Sequence, residues 1–382
     1  MNKLSIIAVI QYPITNLFDT LYLEYKKTSL FDFKFVIIPS KQPGLSVGEF
    51  KLKEIINYMN KKGYPYLKGY DEISKSYFDL KKLKPDIVFL QTPYDLQRGS
   101  FKYSSGYIKN FAKVANISYG AIMIDLKIMY ENLYKENPFL KNCWKIFVEN
   151  DEMKKIFDGI IPNKAVSIGY MKCDYLLNYK GDANYDKYWS LPIKDNFRII
   201  WKPRWIAESK SSNLFKYLYY FIYLVENNSK IDFVWYMHPF IKSQIIINKL
   251  MSKTELIKIF KKIKSLKNFR IEESGDFLNC VFGADLYIGD VSSTLIEFAL
   301  TGKPIIYTPT TEEKLNYFGK KIIKNSYIIK DTIEMTKKIN ELSKKIDPLK
   351  KSRQRNVKNI SKNISGNKSI AEVMIEYINN HN

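Results

Sequence analysis

The chain has 382 residues, 46% of them apolar and 15% aromatic, which excludes a disordered protein and is long enough for two domains. Its formal net charge is +22, carried almost wholly by lysine, since the arginines are only Arg98, Arg198, Arg204, Arg270, Arg353 and Arg355. Cys143, Cys173 and Cys280 are scattered, which points to a reducing compartment and excludes a disulfide framework and a structural zinc site.

The first element, inside MNKLSIIAVIQYP, is too short and too soon broken for a signal peptide, and Ile6–Ile10 reads as a strand. LFDTLYLEYKK (17–27) has helical spacing. FKFVIIP, PDIVFLQ, NISYGAI, KIFVEN and AVSIGY follow as buried strands with helical patterns between several of them. LLNYKGDANYDKYWSLPIKDN (176–196) loses periodicity and reads as a linker. The pattern then restarts with FRIIW (197–201), IDFVWYM (231–237), NFRIEE (268–273), ADLYIGD (284–290) and PIIYT (304–308). Alternation of this kind predicts an α/β protein built of two doubly wound, Rossmann-like domains with parallel sheets. The expected division is 1–180, a linker 181–196, 197–365, and a terminal helix 366–382 that packs back on the first domain. The longest apolar stretch, YLYYFIYLV (217–225), is about half a membrane helix, so no bilayer span is expected.

Lysines crowd KLKEIINYMNKKGYPYLKGY (51–70) and KIFKKIKSLKN (258–268). Such segments suit an anionic lipid surface. They also suit nucleic acid, but no zinc-finger spacing, RNP-type aromatic motif or heptad basic region accompanies them. General Lys/Ile/Asn bias with solvated faces explains them equally well.

Three strands of the second half end in polar residues: Lys202-Pro203-Arg204, His238-Pro239 and Asp290-Val291-Ser292-Ser293. Parallel strands deliver these ends to one edge, where ligands of such sheets bind. Lys202 and Arg204, with Ser292, Ser293 and Thr294 opening the next helix, suit a diphosphate. The same hydroxyls also serve a simpler purpose as helix caps. His238, one of two histidines beside His381, suits a hydrogen bond or a proton to a departing phosphate. Glu297 is placed to accept from ribose hydroxyls or to be an ordinary surface residue, while Lys303 and Pro304 shape the entry of the next strand.

DVSSTLIEFALTGKPIIY, YMHPF and WKPRW together resemble the CDP-glycerol glycerophosphotransferase family, which builds teichoic-acid and capsule-like polymers. IIAVIQYPITNLFDTLYLEYKKTSLFDFKFVIIP and KPDIVFLQTPYD are similar to the opening domain of its capsule-type members, and NISGNKSIAEVMIEYI (363–378) to its closing helix. The resemblance implies a GT-B fold with two domains facing each other across a cleft, the first on the acceptor side and the second holding the donor. It implies a CDP-activated polyol phosphate donor, no cofactor or obligatory metal, and a glycan or lipid-linked glycan acceptor. It also implies a cytoplasmic protein, peripheral on the inner membrane face, with no nucleic-acid partner. Members carry a first-domain His-Gly pair thought to deprotonate the acceptor. Here Tyr119-Gly120 stands in the comparable place, so Tyr119, Asp95 and Asp125 are the candidate bases. An ordinary nucleotide-sugar glycosyltransferase of the same fold is the alternative enzyme, and a basic nucleic-acid- or lipid-binding protein the non-enzymatic one.

Overall fold

Two parallel sheets account for the alternation of apolar runs. The computed structural model describes residues 3–12, 16–28, 30–41, 52–118, 120–125, 138–178, 189, 196–204, 212–238, 241–273, 278–311, 314–361 and 368–381. The expected linker therefore lies outside the described residues, apart from its first residues and Trp189 and Asn196. The chain divides into two compact units, one of residues 1–121, 126–175 and 362–382, the other of residues 122–125 and 176–361.

In the first unit the strands are β1 (Leu4–Ile10), β2 (Phe31–Ile37), β3 (Tyr66–Lys68), β6 (Ile87–Leu90), β7 (Lys113–Ile117), β8 (Cys143–Val148) and β9 (Ala165–Ser167), with β4 (Tyr70–Asp71) and β5 (Ser76–Tyr77) as a separate hairpin. The sheet order is β3-β2-β1-β6-β7-β8-β9. β1 and β6 are its centre, and their residues are buried on both faces, hence the unbroken apolar runs. The helix Ile370–His381 belongs to this unit. Its start is held by Asp174, which accepts from Ala371 N at 3.0 Å, and Tyr377 packs edge-on against Phe147 of β8.

In the second unit the strands are β10 (Phe197–Lys202), β11 (Ile231–Tyr236), β12 (Phe269–Glu272), β13 (Leu286–Gly289), β14 (Ile305–Tyr307) and β15 (Tyr327–Ile328), in the order β12-β11-β10-β13-β14-β15. Strand order reverses between β10 and β13, which makes the space beyond their carboxyl ends the expected ligand site. Trp201 and Trp235 lie in register on β10 and β11 with rings 5.2 Å apart, and Phe221 of the helix Leu214–Glu226 sits 4.9 Å from both Trp201 and Phe233. Aromatic pairs of this kind add about 0.5–1.5 kcal/mol each beyond their buried area. The apolar stretch 217–225 is part of this helix, with Tyr217, Leu218, Phe221, Leu224 and Val225 turned into the core.

Residues Ile122–Asp125 belong to the second unit, although more than a third of the first unit's chain follows them. Ile124 bridges Leu315, and Asn316 donates from its backbone to Met123 O and from its amide to Ile122 O, both at 2.9 Å. The same amide oxygen accepts from Gly319 N and caps the helix Tyr317–Ile323. One asparagine thus starts a helix and clamps a distant segment.

The strand expected over 116–122 is displaced: β7 is Lys113–Ile117. The Ser118 hydroxyl donates to Gly120 O at 3.0 Å and turns the chain out of the sheet before the apolar residues that follow. β3 and β15 were not expected. Both are edge strands with exposed positions, so neither shows a buried run.

Candidate functional site

At the reversal of the second sheet, Lys202 on β10 pairs with Gly289 on β13. Gly289 is required there, because a Cβ would stand 2.5 Å from Lys202 O. Lys202 is 6% exposed, and its ammonium lies 4.1 Å over the Tyr236 ring, at the end of β11. Burial pushes its pKa down to about 7, against the opposing pull of Asp290 and Glu297. Both carboxylates are buried as well. Glu297 is therefore no surface glutamate: the helix Ser293–Ala299 buries it in its second turn, within electrostatic reach of Lys202.

Asp290 ties this centre to the scaffold. Its carboxylate accepts from Asn213 N at 3.0 Å, and the Asn213 amide donates to Thr308 O and Pro309 O at 2.8 and 3.1 Å. The start of the helix Leu214–Glu226 and the exits of β13 and β14 are thus joined through one side chain. Ser212 extends the link, donating to Arg204 O at 3.2 Å. Asn213 was not singled out from the sequence, and Asp290 was named only as the first polar residue after its strand. Their signal, a polar residue before an apolar helix and an acid after a buried strand, is too common to notice.

The hydroxyls after β13 divide their tasks. Ser292 Oγ accepts from Leu295 N as the helix cap and lies 2.8 Å from the hydroxyl of buried Tyr287. Ser293 is half-buried, with no hydrogen-bond partner for its hydroxyl among the described residues, and Thr294 is buried. Arg204 is half-buried beyond β10. His238 is half-buried two residues past β11, its carbonyl accepting from Ile241 N at 3.0 Å. The strand ends carrying Lys202, His238 and Ser292–Ser293 thus lie on adjacent strands at one edge. Lys303 takes no part: its ammonium donates to Phe282 O and Ala284 O, closing the end of the helix Leu278–Gly283.

The acceptor-base candidates separate. Tyr119 lies outside the described residues. Asp95 is engaged internally, accepting from Ser105 N at 2.9 Å, from Ser105 Oγ at 2.6 Å and from Arg98. Asp125 is exposed, and its backbone N donates to Lys314 O.

Residues 124–374 match the family model of the CDP-glycerol:poly(glycerophosphate) glycerophosphotransferases, well over half of the chain. The chain belongs to that family. It is a transferase, and its fold is GT-B, with two Rossmann-like units. Among solved structures it is similar to the wall teichoic acid polymerase TagF, at 13% identity and a TM-score of 0.57 over 99% of this chain and 89% of that one. It is similar to a UDP-GlcNAc 2-epimerase from Neisseria meningitidis bound to UDP-GlcNAc, at 13% identity and a TM-score of 0.63 over 99% and 100% of the two chains. A glycosyltransferase from Rickettsia africae ESF-5 aligns at 17% identity and a TM-score of 0.52, over 100% of this chain and 99% of that one. No curated protein sequence matches the chain.

Two outcomes are expected from this geometry. Ser292→Ala, which removes a cap and the partner of Tyr287, should cost about 1 kcal/mol or more of stability, whereas Ser293→Ala should leave the denaturation midpoint unchanged. Calorimetry with CDP should show the reverse order, with Ser293→Ala weakening binding more; equal affinity for Ser293→Ala and wild type would reduce the motif to a cap. The second concerns pH. Lys202 has a lower pKa folded than unfolded, so the unfolded chain binds more protons between about pH 7 and the ordinary lysine value, and stability rises with pH across that window. Lys202→Met should flatten that rise, measured as the difference between the two proteins' denaturant midpoints at pH 7 and pH 9.5. Parallel profiles would contradict the assignment.

Proposed function

We propose that the chain transfers glycerol phosphate, or a like polyol phosphate, from its CDP-activated form to a hydroxyl of a cell-surface glycan or lipid-linked glycan. The acceptor oxygen attacks the polyol-bearing phosphorus and the bond between the two phosphates breaks. CMP departs with the electron pair, and the acceptor's proton is lost. Membership of the family carries this reading, and the chemistry gathered at the second sheet's reversal supports it.

The roles at that edge follow from charge. One ammonium and two carboxylates, Lys202 with Asp290 and Glu297, do not by themselves attract an anion. In our reading they form a rigid floor, and the donor's diphosphate is held above it by Arg204, His238 and the Ser293 hydroxyl. Lys202 and Glu297 fix the edge on which those groups stand, and Glu297 is too deeply buried to be assigned a ribose. His238 stabilises or protonates the CMP phosphate as it leaves. No metal is needed in this scheme. No helix among the described residues is long and apolar enough to cross a membrane. The lysine surplus suits peripheral binding to an anionic inner leaflet.

Release of CMP from CDP-glycerol, in EDTA and with a glycan acceptor, is the first test. Release of a nucleoside diphosphate from a nucleotide sugar would instead favour the ordinary glycosyltransferase. His238→Ala should cut turnover by roughly two to four orders of magnitude at saturating donor, with the fold intact. His238→Gln should stay well above Ala if the residue only donates a hydrogen bond, and fall equally low if it gives up a proton. A near-normal rate for His238→Ala would remove it from the donor site. Sedimentation with anionic vesicles should show binding that falls as salt rises, because screening shortens the reach of charge to roughly 8 Å at physiological ionic strength. Salt-independent binding to neutral vesicles would count against peripheral electrostatic association.

A further inference from the structure

The first sheet also reverses its strand order, between β1 and β6, and its carboxyl edge holds buried polar groups that the fold does not use. Gln11 follows β1 and is completely buried, yet neither its Oε1 nor its Nε2 has a hydrogen-bond partner among the described residues. Among the described residues, Thr92, two past β6 and 7% exposed, has no partner for its hydroxyl, and neither has Ser40, three past β2 and 1% exposed. β1 lies between β2 and β6, and its register with both continues to Ile10–Ile37 and Val9–Leu90, which brings the three exits side by side. Ile38 N still bonds Ile10 O, and Lys41 N bonds Gln97 O, so the segment carrying Ser40 is anchored at both ends.

The backbone around Gln11 is matched, and the charged group beside it, Arg98, leaves only its Nε without a partner among the described residues. The Gln91 amide oxygen accepts from Gln11 N and Tyr12 N, both at 2.9 Å, leaving the Gln11 side chain without a backbone task. Charge here is internally matched, because Arg98 is paired with Asp95 and donates to Thr92 O. Three neutral groups remain, one amide and two hydroxyls, each able to donate and to accept. Buried polar groups left unmatched are costly and rare, and three at one strand-order reversal call for an explanation. A sugar or polyol unit presents the complementary pattern, whereas an anion would meet no uncompensated charge in this set.

We propose that Gln11, Ser40 and Thr92 form a subsite for one uncharged polyhydroxyl unit, a sugar or polyol of the acceptor. Only the word acceptor rests on the function proposed above; the subsite stands on the buried groups themselves.

Gln11→Met and Thr92→Val keep side-chain volume and remove the polar atoms. Both should raise Tm by about 2 °C, because an unmatched buried polar group is replaced by an apolar one. Saturation-transfer NMR should show chitobiose, a neutral disaccharide, receiving magnetisation from the wild-type protein, with affinity at least about tenfold lower in either variant. CDP affinity should not change. Unaltered transfer to chitobiose in the stabilised variants would mean that the groups enclose only internal water, and absence of transfer in the wild type would overturn the subsite outright. A joint loss of chitobiose and CDP binding would also overturn it, since it would report general distortion. If wild type fails to release CMP from CDP-glycerol, the donor reading falls, while the chitobiose result still decides this one.

Discussion

A lysine ammonium enclosed at the reversal of the second sheet is the constraint on which this half of the molecule depends. An ion buried without partners costs several kcal/mol, and removing one member of a buried pair typically costs about 3–5 kcal/mol. Lys202 therefore requires Asp290 and Glu297 to stay where they are, and the Tyr236 ring supplies a further favourable face. Glu297 determines which face of its short helix turns inward. Asp290 in turn holds Asn213 and through it two strand exits and a helix start. In the function proposed above, Arg204, His238 and Ser293 stand on a base whose geometry is set by charge neutralisation beneath them.

The two sheets share a topology and differ in the chemistry at the point of reversal. The second has an ionic centre; the first has an amide and two hydroxyls whose charged neighbours, Arg98 and Asp95, are matched to each other. In the function proposed above, joining an anionic donor to a hydroxyl acceptor calls for both kinds of surface. Difference of chemistry on a common scaffold is how a duplicated architecture acquires two tasks.

Much of this was legible in the sequence. Buried parallel strands read as unbroken apolar runs, so β10, β11, β13 and β14 were located to within a residue or two, and the polar residues that follow them lie together at one edge of the sheet. What the pattern could not convey was direction and depth. Glu297 and Lys202 are charged, and charged side chains are expected at surfaces; only their mutual proximity makes burial tolerable, and proximity is a tertiary fact. Ser292 and Ser293 are indistinguishable in sequence, yet the backbone gives one to the cap and leaves the other without a partner among the described residues. The clamp made by Asn316 on Ile122 and Met123 spans nearly two hundred residues of chain and has no local signature. Gln11 and Gln91 show the same limit: both follow central strands, and nothing in either neighbourhood tells which amide serves the backbone.

The electrostatics of the second sheet also bear on how an occupied site differs from an empty one. With a pKa of about 7, Lys202 is only partly charged at neutral pH. An anion brought to that edge stabilises the ammonium by Coulomb attraction, in a setting where water screens weakly. By linkage, the proton on Lys202 favours the anion to the same extent. Charging Lys202 strengthens its attraction to Asp290 and Glu297, and through Asp290 the hold on Asn213 and the helix it opens. In the function proposed above, the ionic floor is therefore not a passive support, because its charge state would follow that of a donor held above it.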